Sequence, residues 1–211
     1  MSRPRLLDLF CCAGGAGVGY ERAGFEVVGV DIDPQPHYPL EFVQADAIEY
    51  LSEHAGEFDA IHASPPCQRY TIAQKIRKND HPDLVDPTRD LLIASGKPYV
   101  IENVVGSPLI SPVLLCGAMF PHLNVYRHRL FESNVPFTAP AHPTHRERVT
   151  KMGRAPKAGE RMHVVGNFSG VAEAKKAMGI DWMVRDELRE AIPPAYTHWV
   201  GQRLLQHVRT A

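Results

Sequence analysis

The length and composition of the chain limit its class. It has 211 residues, 44% of them hydrophobic, which suits one core with a small appendage rather than two full domains. The formal charge of −1 excludes a wholly basic nucleic-acid coat, although a local basic patch can still bind a polyanion.

The apolar runs and the cysteines limit where the protein can be located and which kinds of site it can contain. No eighteen apolar residues occur in succession, and the N-terminus lacks an apolar run of signal-peptide length. The four cysteines form no C-x-x-C pair and no zinc-type or disulfide spacing. We therefore expect a cytoplasmic monomer that binds neither metal nor membrane.

The first predicted strand, residues 6–10, leads into a glycine-rich turn containing Gly14 and Gly15 and then into an amphipathic stretch that ends at Gly24. Strand, glycine turn and helix open a nucleotide-binding unit, because small residues let the backbone approach a ligand and the helix start offers free N–H groups. Tight turns also need glycine for conformational reasons alone.

Carboxylates follow the next two predicted strands. Residues 25–30 lead to Asp31, and a carboxylate there can accept hydrogen bonds from both ribose hydroxyls. Residues 42–45 lead to Asp46, which can accept from the exocyclic amine of an adenine. Either aspartate can instead cap the turn or helix that follows.

A lone thiol follows a fourth apolar run, residues 58–63. Pro65 and Pro66 cannot extend a ladder of hydrogen bonds, so the strand should stop and leave Cys67 at the carboxyl edge of a sheet, where open α/β proteins bind ligands. A free cysteine can equally be a small core hydrophobe. The polar segment 69–87 suits a mobile lid or a plain surface loop.

An acid and two arginines complete the set of candidate site residues. Glu102 ends a strand predicted at residues 98–101, where burial would raise its pKa and let it donate a proton, unless it faces solvent. If residues 126–132 are extended, Arg127 and Arg129 share one face and can both reach a phosphate or a base edge; solvated arginines are the alternative.

The composition of residues 136–161 differs from that of the rest of the chain, because this segment is rich in Pro, His, Arg and Lys. Between Thr144 and Arg161 six basic residues, including Arg146 and Arg148, stand against two acidic ones, a local charge of +4. This segment can contact nucleic acid, or it can be a disordered insertion kept soluble by its charge.

The order of these motifs resembles that of the cytosine-C5 methyltransferase family across most of the chain. Pro65-Pro66-Cys67-Gln68 looks like the nucleophile motif, Glu102-Asn103-Val104 like the proton-donor motif and Arg127-x-Arg129 like the basic strand motif. Two departures are Cys12, where the family usually has a glycine, and Arg189-Glu190, where it usually has Gly-Asn.

The resemblance implies a Rossmann-like, S-adenosylmethionine-dependent methyltransferase fold, with a mostly parallel sheet, helices on both faces and a very small recognition insert. It implies catalytic roles for Cys67, Glu102, Arg127 and Arg129, and cofactor contacts for Phe10, Gly14, Gly15, Asp31, Ile32, Asp46 and Pro65. We expect Gln68 and Asn103, with Arg146 and Arg148 of the basic segment, to bind substrate.

The resemblance also implies a reaction: methylation of cytosine C5 in duplex or single-stranded DNA through a covalent Cys67 adduct. We divide the chain into a catalytic and cofactor-binding domain (1–132), a basic insert (133–162) and a segment that returns to the catalytic domain (163–211). Only 51 residues separate Phe131 from Met183, where the terminal motifs begin, a length that resembles compact phage-coded forms acting in the host cytoplasm. The alternatives are a free pyrimidine nucleotide or RNA as substrate, and a degenerate accessory protein that only binds DNA or cofactor.

Overall fold

The computed structural model describes residues 2–67, 70 and 83–210, so Gln68 and most of the predicted lid lie outside the described residues. Within those residues the chain forms a seven-stranded sheet with the strand order β3-β2-β1-β4-β5-β7-β6. The strands are β1 (Arg5–Leu9), β2 (Glu26–Asp31), β3 (Glu41–Gln44), β4 (Ala60–Ala63), β5 (Tyr99–Asn103), β6 (Val113–Leu115) and β7 (Arg129–Ser133).

The first five strands run parallel to their neighbours, and β7 lies antiparallel between β5 and β6. Consecutive residues of a strand face opposite sides of the sheet. Leu6 packs in one buried cluster and Leu7 in the other, and Ala60 and Ile61 divide in the same way. Both faces are therefore covered, as the near-continuous apolar runs of these strands require.

The helices are α1 (Gly15–Ala23), α2 (Ala47–His54), α3 (Val85–Ser95), α4 (Val171–Met178), α5 (Arg185–Glu190) and α6 (Pro194–Thr210). Tyr20 of α1 and Leu204 of α6 lie in the cluster on one face, while Leu51 of α2 and Leu92 of α3 lie in the cluster on the other. Helices thus cover both faces, which confirms the predicted α/β architecture.

The C-terminal segment is tied to the start of the chain. Thr197 donates its hydroxyl hydrogen to the carbonyl of Ala16 at 2.8 Å, and the indole of Trp182 donates to the carbonyl of Ala13 at 2.8 Å. The return of this segment to the first strand–helix unit was predicted.

Residues 134–148 contain no helix or strand. Isolated bridges join Val125 to Met162 and Val149 to Arg161, so the C-terminal end of the basic segment is paired with backbone on both sides. Among the described residues, no helix combines the length and the apolar character needed to cross a bilayer.

Candidate active site

Five parallel strands end at one edge of the sheet, and a candidate residue lies at or just after the end of each. Phe10 follows β1, Asp31 ends β2, Asp46 follows β3 and Cys67 follows β4. Glu102 is the last residue but one of β5. The carboxyl edge of such a sheet is where α/β proteins bind ligands, so the topology brings the predicted cofactor and catalytic residues to one side.

The loop that carries Cys67 is held in place by a neighbouring strand. Asn103, only 1% exposed, donates its side-chain amide to the carbonyl of Pro65 at 3.0 Å and accepts from the backbone N–H of Val104 at 2.8 Å. Its amide is therefore engaged within the protein. Asn103, which we expected to bind substrate, positions the nucleophile loop instead.

Glu102 and Arg129 lie together beside that loop. Glu102 is 5% exposed, and Arg129 Nε lies 2.9 Å from its Oε1. The N–H is not aimed at this oxygen, because Oε1 is buried without a hydrogen bond from any described residue. A buried carboxylate oxygen without a hydrogen bond is costly, so this atom is available to a ligand.

Burial dominates the ionisation of both reactive groups. It raises the pKa of the Glu102 carboxyl, against the opposing effects of Arg129, the Ser64 hydroxyl and Arg127. It also raises the pKa of the Cys67 thiol, which Arg129 lowers and Glu102 raises. These effects together favour a neutral thiol, and Arg129 is the described group that most opposes this.

A chain of buried polar side chains extends behind Glu102. The Tyr20 hydroxyl lies 3.0 Å from His62 Nδ1, and His62 Nε2 lies 2.9 Å from the Ser64 hydroxyl oxygen. Burial lowers the pKa of His62 to about 3, so its ring is neutral at physiological pH. If Tyr20 donates to Nδ1, then Nε2 donates to Ser64, whose one proton is left for Glu102.

This row of hydrogen-bonded side chains was not predicted from the sequence. The available signal was His62, a polar residue within an otherwise apolar strand and two positions before Ser64. We infer that it fixes the orientation of the Glu102 carboxyl.

The backbone position of Arg127 differs from the one that the sequence predicted. The strand begins only at Arg129, and Arg127 has a backbone φ of 34°, so the two arginines are not alternate residues of an extended strand. The Arg127 guanidinium donates to the carbonyls of Val164 and Arg189, both at 2.8 Å. It therefore fastens the C-terminal segment to the site, while its buried Nε–H donates to no acceptor among the described residues.

The cofactor side of the edge centres on Asp31. Its two carboxylate oxygens accept from the backbone N–H groups of Cys12 at 2.9 Å and Asp33 at 3.0 Å, which fixes the side chain. Each oxygen can accept a second hydrogen bond. Ile32 beside it is a large apolar residue that is 64% exposed, so a fixed carboxylate and an exposed aliphatic surface lie together, as a ribose with an attached adenine requires.

Asp46 is a helix cap in this structure. Its Oδ1 accepts from the backbone N–H groups of Ile48 at 2.8 Å and Glu49 at 3.1 Å at the start of α2. Both bonds use the same oxygen, so Oδ2 is left for an amine donor. The cap that we gave as the alternative is present, and it is compatible with a cofactor contact.

The glycine-rich turn has left-handed backbone at three residues, Phe10 (φ 56°), Cys12 (φ 44°) and Gly14 (φ 84°). Cys12 thus has a backbone conformation that favours glycine, at a cost of about 1–2 kcal/mol for a side chain in this region. A Cβ on Gly15 would lie 2.5 Å from the carbonyl oxygen of Ile192, so this glycine is required by packing of the C-terminal segment.

The basic segment neutralises part of its own charge. Arg154 forms a bidentate ion pair with Glu160, at 2.6 and 2.8 Å, and Arg161 Nε lies 3.6 Å from Glu147. Arg146 and Arg148 are exposed and stay outside the catalytic cluster.

Part of the chain is similar in sequence to known proteins. Residues 4–106 match the family model described as C-5 cytosine-specific DNA methylase. The type II methyltransferase M.FnuDI of Fusobacterium nucleatum is 33% identical over 112 residues, which cover 48% of this chain and 33% of that protein. M.AgeI of Thalassovita gelatinovora is 26% identical over 191 residues, covering 79% of this chain and 44% of that protein. The chain therefore spans less than half the length of these relatives.

Solved structures agree on the fold. A putative DNA modification methyltransferase encoded within an Escherichia coli prophage matches with a TM-score of 0.68 and 14% identity, over 99% of this chain and 100% of that chain. The S. pombe Dnmt2 methyltransferase matches with a TM-score of 0.63 and 14% identity, over 98% of this chain and 99% of that chain. Both confirm the predicted Rossmann-like methyltransferase fold. Residues 4–106, just under half of the chain, contain both the Cys67 and the Glu102 motifs, and this part of the chain matches the C-5 cytosine-specific DNA methylase family.

Proposed function

We propose that the chain methylates C5 of cytosine in DNA, with S-adenosylmethionine as the methyl donor and Cys67 as a covalent nucleophile. The observation that carries the proposal is the meeting of a half-buried thiol, a buried carboxyl and Arg129 at one sheet edge. A protein that only binds DNA or cofactor has no need of a nucleophile beside an acid, which argues against the accessory role.

The first step falls to Cys67 and Glu102. Cytosine C5 is a poor nucleophile until a group adds at C6. The Cys67 thiolate forms the S–C6 bond, and the electrons of the C5–C6 double bond move toward C5 and N3. Glu102, whose carboxyl pKa is raised by burial, donates a proton or hydrogen bond to N3 in its protonated form, while Arg129 stabilises the thiolate before attack.

The cofactor would lie on Asp31, Ile32 and Asp46, with Phe10 and the Gly14–Gly15 turn beside it. When bound, S-adenosylmethionine would supply an electrophilic methyl group for C5, with the S–CH3 bond broken and S-adenosylhomocysteine as the leaving group. Loss of the C5 proton to a base then restores the double bond, the S–C6 bond breaks, and Cys67 leaves as a thiolate. The product is 5-methylcytosine, and no net oxidation occurs.

DNA contact is assigned to the basic insert. Its exposed Arg146 and Arg148 suit phosphate contacts, which orient a duplex without reading its sequence. The target base must leave the stack to reach a pocket at the sheet edge. The short insert supports a short or relaxed recognition site.

The remaining parts of the proposal concern organisation. We infer a compact, phage-type enzyme that acts as a monomer in the cytoplasm, with the catalytic domain at 1–132, the insert at 133–162 and the returning segment at 163–211. Light scattering behind size-exclusion chromatography should give a mass near 23.5 kDa, and a mass twice as large would refute the monomer.

The test of substrate offers duplex DNA, single-stranded DNA, RNA and dCMP in parallel, each with methyl-labelled S-adenosylmethionine. We expect label in DNA, and hydrolysis of the product should locate it in 5-methylcytosine. Label in dCMP or RNA alone would overturn DNA as the substrate, while label in a Cys67→Ser variant at the wild-type rate would overturn the covalent mechanism.

A further inference from the structure

A cysteine and three histidines converge next to the basic insert, outside the catalytic cluster. Each of Cys116, His128, His142 and His145 offers one ligand atom, and the four atoms lie within 4.8 Å of one another. We propose that these four side chains bind a zinc ion that fastens the basic insert to the β6–β7 hairpin. The sequence analysis expected no metal.

The hairpin supplies two of the ligands. Leu115 of β6 lies opposite Arg129 of β7, and continuing that antiparallel register by one residue places Cys116 opposite His128. A hydrogen bond from Gly117 N–H to the carbonyl of Tyr126, at 2.7 Å, holds this end of the hairpin closed. One side of the site is thus built by strand pairing, without a metal.

The insert supplies the other two ligands. His142 and His145 are separated by two residues, within a stretch that contains no helix or strand. His145 Nε2 lies 3.3 Å from Cys116 Sγ, and its ring stacks on Tyr126 with centroids 3.7 Å apart. The rings of His128 and His142 are parallel to within 17°, with centroids 5.7 Å apart.

These distances fit a tetrahedral ion. Zn–N bonds of about 2.0–2.1 Å and a Zn–S bond of about 2.3 Å put neighbouring ligand atoms about 3.3–3.7 Å apart, close to the Cys116–His145 separation. The remaining pairs, all within 4.8 Å, need to come closer by about 1.5 Å at most. One thiolate with three imidazoles suits zinc, since carboxylate-preferring ions such as magnesium find no hard oxygen ligand there.

The burial of the four ligands indicates the role of the ion. Cys116 is buried and His128 half-buried, whereas His142 and His145 are exposed. Exposed imidazoles on a segment without secondary structure have little apolar burial to hold them, and four protein ligands leave no open position for catalysis. The ion is therefore structural, and it fixes the segment that leads directly into Arg146 and Arg148.

The site also adjoins the active site through the backbone. His128 lies between Arg127 and Arg129, and the Arg129 guanidinium donates to the His128 carbonyl at 3.2 Å. Fixing the His128 ring thereby fixes the peptide that precedes the arginine paired with Glu102.

The test measures zinc on the full chain without a polyhistidine tag, in the absence of DNA and cofactor, so its result is independent of the proposed activity. After reconstitution with zinc and desalting, the wild type should hold one equivalent by elemental analysis. His142→Ala with His145→Ala should lose more than about 100-fold in affinity, beyond the range seen for outer-shell partners alone. Both residues are exposed, so circular dichroism should show an intact fold.

Two controls decide the outcome. His122→Ala removes an exposed histidine outside the cluster and should retain one equivalent. With cobalt in place of zinc, the wild type should show a thiolate-to-cobalt charge-transfer band that the Cys116→Ser variant lacks. A wild type without zinc, or equal zinc in the double histidine variant, would overturn the site.

Limited trypsin digestion tests the fastening role. Zinc should slow cleavage after Arg146, Arg148 and Lys151 in the wild type and leave the rate unchanged in the double histidine variant. Zinc that binds with no change in cleavage would refute the fastening role.

Discussion

At the carboxyl edge of the sheet, five candidate site residues lie together because five parallel strands end there. Residues 134–148, in contrast, contain no strand or helix that could position a side chain. The edge gets its geometry from backbone hydrogen bonds and a core on both faces. The insert depends on side-chain contacts, such as the Arg154–Glu160 pair and the His142–His145 cluster. Substitutions at the edge should therefore change rate, and substitutions in the insert should change binding.

The largest effect is expected at Cys67. Replacing it with serine removes the thiolate that makes C5 reactive, so kcat should fall on the order of 10⁴-fold or more, as for other nucleophile deletions. Binding of cofactor should be unchanged, because the substitution leaves the hydrogen bonds that fix Asp31 and Asp46 in place. Single-turnover methyl transfer and calorimetric cofactor titration separate the two. A fall in cofactor affinity with normal turnover would contradict the account.

Glu102→Gln should lower the rate by about 10²–10⁴-fold and change the shape of the pH profile. The reactive wild-type form needs a neutral Glu102 with an ionised Cys67. Since a carboxyl pKa lies below a thiol pKa, this form is a constant minority between the two values. The rate should rise with pH below the raised pKa of Glu102, stay level, and fall above the raised pKa of Cys67.

The glutamine variant lacks the lower ionisation. Its rate should rise with pH through the whole interval until the thiol has ionised, and then level off. The measurement is kcat/KM for both proteins from pH 5 to pH 10. A level region that persists in the variant would show that Glu102 is not the acid.

Removing two charges from the insert should weaken DNA binding and spare the chemical step. Arg146→Gln with Arg148→Gln should reduce the slope of log K against log salt concentration by roughly 2, about one per phosphate contact. The matched control, Arg22→Gln with Arg209→Gln, removes two exposed charges from α1 and α6. Anisotropy titrations of a labelled duplex compare them, and equal slopes for the two double variants would contradict the insert's role.

The smallest effect is expected in the glycine-rich turn. Cys12→Gly relieves a left-handed side chain but adds freedom to the unfolded chain, so the free energy of unfolding should rise by about 0.5–1 kcal/mol. Cys12→Ala keeps the Cβ and should bring no gain. Urea denaturation measures both, and equal stabilisation by the two would remove backbone strain as the cause.

The edge could be predicted from the sequence because its signals are local. An apolar run followed by Pro65-Pro66 is enough to end a strand before Cys67, and parallel topology then fixes which edge the residue occupies. Asp31 and Glu102 follow by the same logic. The bounds of these five parallel strands differ from prediction by at most two residues, which does not move a side chain to another edge.

The arginine motif and Asn103 show what local signals miss. Arg127 is displaced from the strand by a left-handed backbone that nothing in its neighbours indicates, and Asn103 bonds to a loop 38 residues earlier in the chain. The His62–Ser64 pair and the cluster around Cys116 also depend on distant elements. His142 and His145 are adjacent enough to notice, but Cys116 and His128 join them only through the register of a hairpin.

Trapping the adduct tests the central claim most directly. A duplex carrying 5-fluorocytosine at target positions has no C5 proton to lose, so the S–C6 bond cannot be broken after methyl transfer. The account predicts a stable protein–DNA complex whose proteolytic fragments carry the base on Cys67, with Cys11, Cys12 and Cys116 unmodified as internal controls. A complex attached to another residue, or methylated cytosine produced while no complex is ever trapped, would contradict it.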